Sequence, residues 1–220
     1  MKICGRKINA VIFDLDGTLL DSSGIWGDID KEFFAKRNME IPSSYTDEIA
    51  HIGLDEAAIL TSQKYCKNEK PEDILKEWKM ASKKQYEEII QLKPNVLKLL
   101  EVFKKNNIKL AVATANKKYL YEPCLKRLNV FDYFEFIADV DTVGEGKNSV
   151  KLYNYVADKL NEKPENIVIF EDIHIGLKTA YENGYLSIAV YDNHSKDEQL
   201  KRKYSHLYIN DFIEIIEKMD

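Results

Sequence analysis

Polar and apolar residues follow two rhythms along this chain, and the change from one to the other marks out its architecture. Short, mainly apolar runs appear at Ile8–Phe13, Ile108–Ala113, Ile167–Phe170 and Leu186–Val190. Runs of about four to eight such residues read as strands buried on both faces, as in a parallel sheet. Tyr133–Val140 and His206–Asn210 are weaker strand candidates. Between these runs the apolar positions recur at helical spacing: Val96–Asn107, Asn116–Leu128, Ser149–Asn161, Ile173–Gly184 and Asp211–Met219. Asn183-Gly184 is a good helix stop, because glycine takes the left-handed conformation that ends a helix. Strand and helix alternating in this way predict an α/β fold with a doubly wound parallel sheet.

From Gly24 to about Leu92 the strand rhythm is absent and only helical periodicity remains. Ile29, Phe33, Phe34 and Arg37 fall on one helix face. Ile49, Ile52 and Leu54–Leu60 predict two short helices around Gly53. Pro71-Glu72-Asp73 opens another helix, with proline in the first turn and acids near the positive end of the dipole. Ile74, Leu75, Trp78, Tyr86, Ile89 and Ile90 would line its buried side. Residues 23–92 are therefore expected to form an all-helical insert, hinged at Ser22–Gly27 and Gln91–Asn95. Residues 1–22 and 93–220 would form the sheet domain.

Composition narrows the class. With 220 residues and 45% hydrophobic content, the chain can bury a substantial core. A net charge of −5 with dispersed Lys and Arg leaves no footprint for nucleic acid. No apolar stretch approaches the ~18 residues of a membrane span, and no signal peptide is expected at the basic N-terminus. Three widely spaced cysteines argue for reduced thiols in a cytoplasmic protein and against a metal-thiolate site. A monomer is expected.

The first apolar run ends in Asp14-Leu15-Asp16-Gly17-Thr18. Ligands bind open α/β sheets at the carboxyl ends of the strands, where these two acids stand. Two like charges so close are unfavourable unless they share a proton or a cation. A hard cation such as Mg2+ suits oxygen donors of this kind. Other strand ends contribute Thr114-Ala115-Asn116 and Glu171-Asp172, and a loop contributes Gly146-Lys147. Acids, a hydroxyl and a lysine are the parts needed to move a phosphoryl group onto a carboxylate.

The phrase Phe13-Asp14-Leu15-Asp16-Gly17-Thr18-Leu19-Leu20-Asp21-Ser22 resembles the first motif of the haloacid dehalogenase (HAD) superfamily, in the wording of its phosphatases and β-phosphoglucomutase-like members. The resemblance spans the whole chain and implies a Rossmann-like catalytic core with an inserted helical cap. Asp14 corresponds to the nucleophile, and Asp16 to the general acid and base. Thr114 matches the hydroxyl of the second motif, with Ala115 and Asn116 beside it at the phosphate. Lys147 matches the lysine of the third motif. Asp172 matches the metal ligand of the fourth motif, with Glu171 as a further or supporting ligand; Asp14 and the Asp16 carbonyl would complete the Mg2+ site. Gly17, Trp26 and His51 are candidates to touch a small phosphorylated metabolite, and Asp55 is a further cap candidate.

Several positions depart from the family pattern. The third-motif lysine usually lies in Gly-Lys-Pro-x-Pro-Asp, whereas here Gly146-Lys147-Asn148-Ser149-Val150-Lys151 lacks both prolines and the acid. Lys151 is therefore a rival one turn further on. Ile173 follows Asp172 where serine is common. The mutases carry a histidine at the start of the cap, and Trp26 stands there; they carry an arginine after a cap glycine, and Leu54-Asp55 follow Gly53. These departures favour transfer to water, hence a phosphatase, over a phosphosugar mutase. The altered third motif also keeps open a catalytically silent HAD-fold binding protein.

Overall fold

A computed structural model describes residues 1–49 and 54–219, and they divide into two compact units. Residues Met1–Ser23 and Ile90–Asp220 form the first unit, and Gly24–Ile89 the second. The six predicted strands are β3 (Ala10–Phe13), β4 (Lys109–Thr114), β5 (Phe136–Asp139), β6 (Ile167–Glu171), β7 (Leu186–Val190) and β8 (Leu207–Ile209). They form one parallel sheet in the order β5-β4-β3-β6-β7-β8. The strand order reverses between β3 and β6, so their carboxyl ends flank the crevice where such sheets take ligands. Phe13 is in register with Val112 on one side and Phe170 on the other, which brings the acids after β3 and β6 together.

The first unit's helices are α5 (Val96–Lys105), α6 (Lys118–Arg127), α7 (Val140–Val143), α8 (Lys151–Leu160), α9 (His174–Glu182), α10 (Glu198–Lys203) and α11 (Ile213–Ile216). Alternate residues of a strand face opposite sides, and both sides of β3 are buried. Ala10 and Ile12 join a cluster with Leu152, Tyr153 and Val156 of α8 and Ala180 of α9. Phe13 stacks on Phe170 at 5.0 Å and touches Phe103 of α5, while Phe170 meets Phe212. The strand run had to be apolar throughout because neither face meets water. A basic N-terminal hairpin, β1 (Lys2–Ile3) and β2 (Arg6–Lys7), was not foreseen. Its turn at Cys4 and Gly5 has positive φ at both positions, a geometry that usually calls for Asn or Asp before the glycine.

In the second unit lie α1 (Ile25–Ala35), α2 (Tyr45–Ile49), α3 (Leu54–Lys64) and α4 (Pro71–Lys84). Phe33, Phe34, Tyr45 and Trp78 form its aromatic core. Arg37 lies past the end of α1, with its guanidinium over the Phe33 ring and bonded to Glu69 at 2.7 Å and Glu77 at 2.8 Å. Gly53, the expected break between α2 and α3, lies outside the described residues. After α4 the chain makes a π-helical turn over Gln85–Ile89. That wider turn shifts the register, so Tyr86 and Ile90 stay buried while Ile89, expected on the buried side, is exposed. The boundaries also differ slightly from those expected, because Gln91–Lys93 pair with Leu19–Asp21 inside the first unit.

Asp30 on α1 is a buried carboxylate, and burial raises it to about 6 from 3.8. The folded chain thus holds this proton more tightly than the unfolded one. Stability from Asp30 is full below about pH 4 and is lost as pH rises through about 6. Urea melts across this range should show that decline, and Asp30→Asn should flatten it. An unchanged slope in the variant would exclude Asp30 as its source.

Candidate active site

The ends of β3 and β6 and the loop carrying Lys147 bring their residues together. The Asp14 N–H donates to the Phe170 carbonyl at 3.0 Å, tying the end of β3 to β6. The chain then turns at Gly17, whose φ of +78° is readily adopted only by glycine. A Cβ there would lie 2.5 Å from Asp172 Oδ2, so glycine also makes room for that carboxylate. Thr18 Oγ1 donates to Asp172 Oδ1 at 3.3 Å.

Carboxylate oxygens of Asp14, Glu171 and Asp172 all lie within 4.8 Å of one another, and all three residues are buried. Lys147 Nζ bridges two of them, in close contact with Asp14 Oδ1 and 2.7 Å from Glu171 Oε2. Burial alone would lower the Lys147 ammonium; the charges of Asp14 and Glu171 outweigh it and raise it. Lys147 is therefore a fixed cation. Lys151, its rival, pairs with Glu145 at an exposed position and takes no part.

Three buried acids against one lysine leave negative charge in excess. Burial, then the charges of Glu171 and Asp14, push Asp172 up to about 9. Burial and Asp14 likewise raise Glu171. Such acids either retain protons or gather a cation. An all-oxygen donor set of this kind fits Mg2+ better than a softer metal.

Asp16 is held apart from that cluster. Ser22 Oγ donates to its Oδ1 at 2.7 Å, and Asn116 Nδ2 to its Oδ2 at 2.8 Å. The Asn116 N–H donates to Thr114 Oγ1 at 3.0 Å, so the Thr114-Ala115-Asn116 loop is folded on itself beside Asp16. Asp16 contributes no side-chain oxygen to the acidic triad; its expected metal contact was through the backbone carbonyl. Trp26 stands on α1 of the second unit, 41% exposed, and Asp55 on α3. His51 lies outside the described residues.

The sequence profile of the haloacid dehalogenase-like hydrolases matches residues 11–190, spanning all four clustered motifs. The chain belongs to this family. Among curated HAD relatives, it is 30% identical over 182 residues to a phosphorylated carbohydrates phosphatase of Thermotoga maritima, covering 80% of this chain and 82% of that protein. It is 24% identical to the pyrophosphatase PpaX of Bacillus cereus, with 76% of each covered. Among solved HAD folds, a β-phosphoglucomutase-like protein of Thermotoga maritima superposes with a TM-score of 0.84 at 25% identity, over 96% of this chain and 97% of that one. With phosphatases and pyrophosphatases as its HAD relatives, the chain is a phosphoric monoester hydrolase.

Two site residues escaped the sequence reading. Tyr153 donates its hydroxyl to Glu171 Oε2 at 3.1 Å, on the same oxygen that takes Lys147. It sits on the apolar stripe of α8, where periodicity marks it only as core. Ser22 looked like a hinge residue; its partner Asp16 is six positions earlier, a separation with no helical or strand meaning.

Proposed function

We propose that this hydrolase is a Mg2+-dependent phosphatase of small phosphomonoesters, working through an aspartyl-phosphate on Asp14. The observation that carries the reading is the buried Asp14–Lys147–Glu171 arrangement beside Asp172, with Asp16 tethered separately. Asp14 and Asp172, with Glu171 and the Asp16 carbonyl, would hold the ion, which supplies positive charge against the phosphoryl oxygens.

An Asp14 oxygen attacks phosphorus and the ester P–O bond breaks. Asp16, protonated, gives its proton to the departing oxygen. Then Asp16, now a carboxylate, takes a proton from water; the water oxygen bonds to phosphorus, and the Asp14–phosphorus linkage breaks to free phosphate. The Ser22 hydroxyl can donate to Asp16 or accept from it, so both protonation states are accommodated. Lys147 keeps Asp14 ionised and balances phosphate charge. Thr114, Ala115, Asn116 and Gly17 bind the phosphoryl group.

Sugar phosphates are the proposed substrates, in keeping with the phosphorylated carbohydrates phosphatase among the relatives. Water is the proposed acceptor, because Trp26 occupies the mutase histidine position and indole offers only an N–H donor. Hydrolysis of p-nitrophenyl phosphate should stop on chelation by EDTA and return with added Mg2+. Rates indifferent to EDTA would sink the metal assignment. Conversion of β-glucose 1-phosphate into glucose 6-phosphate would replace the phosphatase with a mutase.

A further inference from the structure

Among the described residues of the first unit, outside those of phosphoryl transfer, a further and largely buried ion pair stands near the acids. Asp192, just past the end of β7, is 3% exposed and accepts from Lys93 Nζ at 2.8 Å. Lys93 also donates to the Tyr191 carbonyl at 2.8 Å, and the His194 N–H donates to Asp192 Oδ1 at 2.9 Å. The Ser23 hydroxyl lies near the same carboxylate and favours its ionised form. Burial opposes the Asp192 charge, but Lys93 and these donors more than offset it and hold Asp192 below its usual range, fully ionised.

Ser23 stands at the Gly17 turn, where Asp172 also comes close. Its Oγ lies 2.6 Å from the point over Gly17 where a Cβ would stand, and Asp172 Oδ2 lies 2.5 Å from that point. Ser23 and Asp172 therefore both crowd the Gly17 turn, and the Lys93–Asp192 pair stands near enough for its charge to reach Asp172. The Asp192 charge is felt at Asp172, adding to those of Glu171 and Asp14. Lys93 is bound to Asp192 and to the Tyr191 carbonyl just past β7.

We propose that the buried Lys93–Asp192 pair sets the affinity of the acidic triad for its divalent cation, with Asp192 as the attracting pole and Lys93 as the counterweight. The inference rests on the reading of Asp14, Glu171 and Asp172 as a cation site. Neither residue touches substrate; both act through the field at Asp172. A field of this kind has a sign, and a packing role does not. Removing the negative pole weakens cation binding, whereas removing the positive pole strengthens it.

Calorimetric titration of the full chain with Mg2+ alone tests this without any turnover. Asp192→Asn should bind Mg2+ about three- to tenfold more weakly than the wild type, and Lys93→Met more tightly by a similar factor. The double variant, with both charges gone, should return towards wild-type affinity. Weaker binding in both single variants, or no change in either, would reduce the pair to packing and overturn the proposal. Should Lys93→Met fail to fold, the double variant decides: recovery supports the counterweight, and a loss beyond that of Asp192→Asn overturns it. A wild-type chain that binds no Mg2+ fails at the underlying cation site instead, and so is told apart from a failure of the pair.

Discussion

Asp14→Asn will abolish turnover of p-nitrophenyl phosphate, with a loss of about 10⁴-fold or more. The change is nearly isosteric, so the close approach of β3 to β6 is preserved. What disappears is the oxygen that attacks phosphorus, together with one negative charge of the triad. An amide oxygen is a poor nucleophile, and no neighbour can substitute: Glu171 is committed to Lys147 and Tyr153, and Asp16 is held by Ser22 and Asn116. Initial rates at saturating Mg2+ check the loss, with a thermal melt to show that the variant is folded. Wild-type enzyme quenched during turnover should carry a phosphoryl group on the peptide containing Asp14. Residual activity above a hundredth of wild type would move the nucleophile elsewhere.

Lys147→Met will damage stability and rate together. The lysine is buried with its charge shared between Asp14 and Glu171. Its removal leaves those carboxylates facing each other without compensation, and breaking a buried pair in this way costs about 3–5 kcal/mol. Loss of a cation aimed at the phosphoryl oxygens should lower the rate by a further ~10²–10³-fold. Mg2+ should recover part of the lost stability, since a ligand of the folded state alone stabilises it by mass action. Lys151→Met, at an exposed pair with Glu145, should shift stability by less than about 1 kcal/mol. Denaturant melts of both variants with and without Mg2+, alongside their kinetics, make the comparison. A larger loss in Lys151→Met would reverse the assignment of the two lysines.

Much of this site could be read from the chain because its chemistry stands where a pattern breaks. Asp14, Thr114 and Glu171-Asp172 each close a run of residues buried on both faces, and an ionisable group has little reason to appear there without a task. The parallel sheet, though not its strand order, followed from the same runs. Reading stopped where neighbours come from distant segments. Register and a preceding glycine favour Lys147 over Lys151 in the sequence, but it is burial that separates them sharply. Tyr153 hides in the stripe of α8, and Asp192 looks like one of many polar residues after β7. Ile89 was misplaced because a single wide turn is invisible to a 3.6-residue period. Asp30 follows a buried isoleucine on α1, and nothing in the helical period marks its own burial.

The ladder between Leu19–Asp21 and Gln91–Lys93 means that the polypeptide departs from the sheet domain and rejoins it at adjoining positions. Loop-closure entropy grows only slowly with the length of chain spliced between two such neighbours. A scaffold of this design tolerates exchange of the intervening helices for another module without disturbing strand order or the loops that carry the acids. The insert can therefore be replaced as one cassette while the sheet domain and its acidic loops are inherited unchanged.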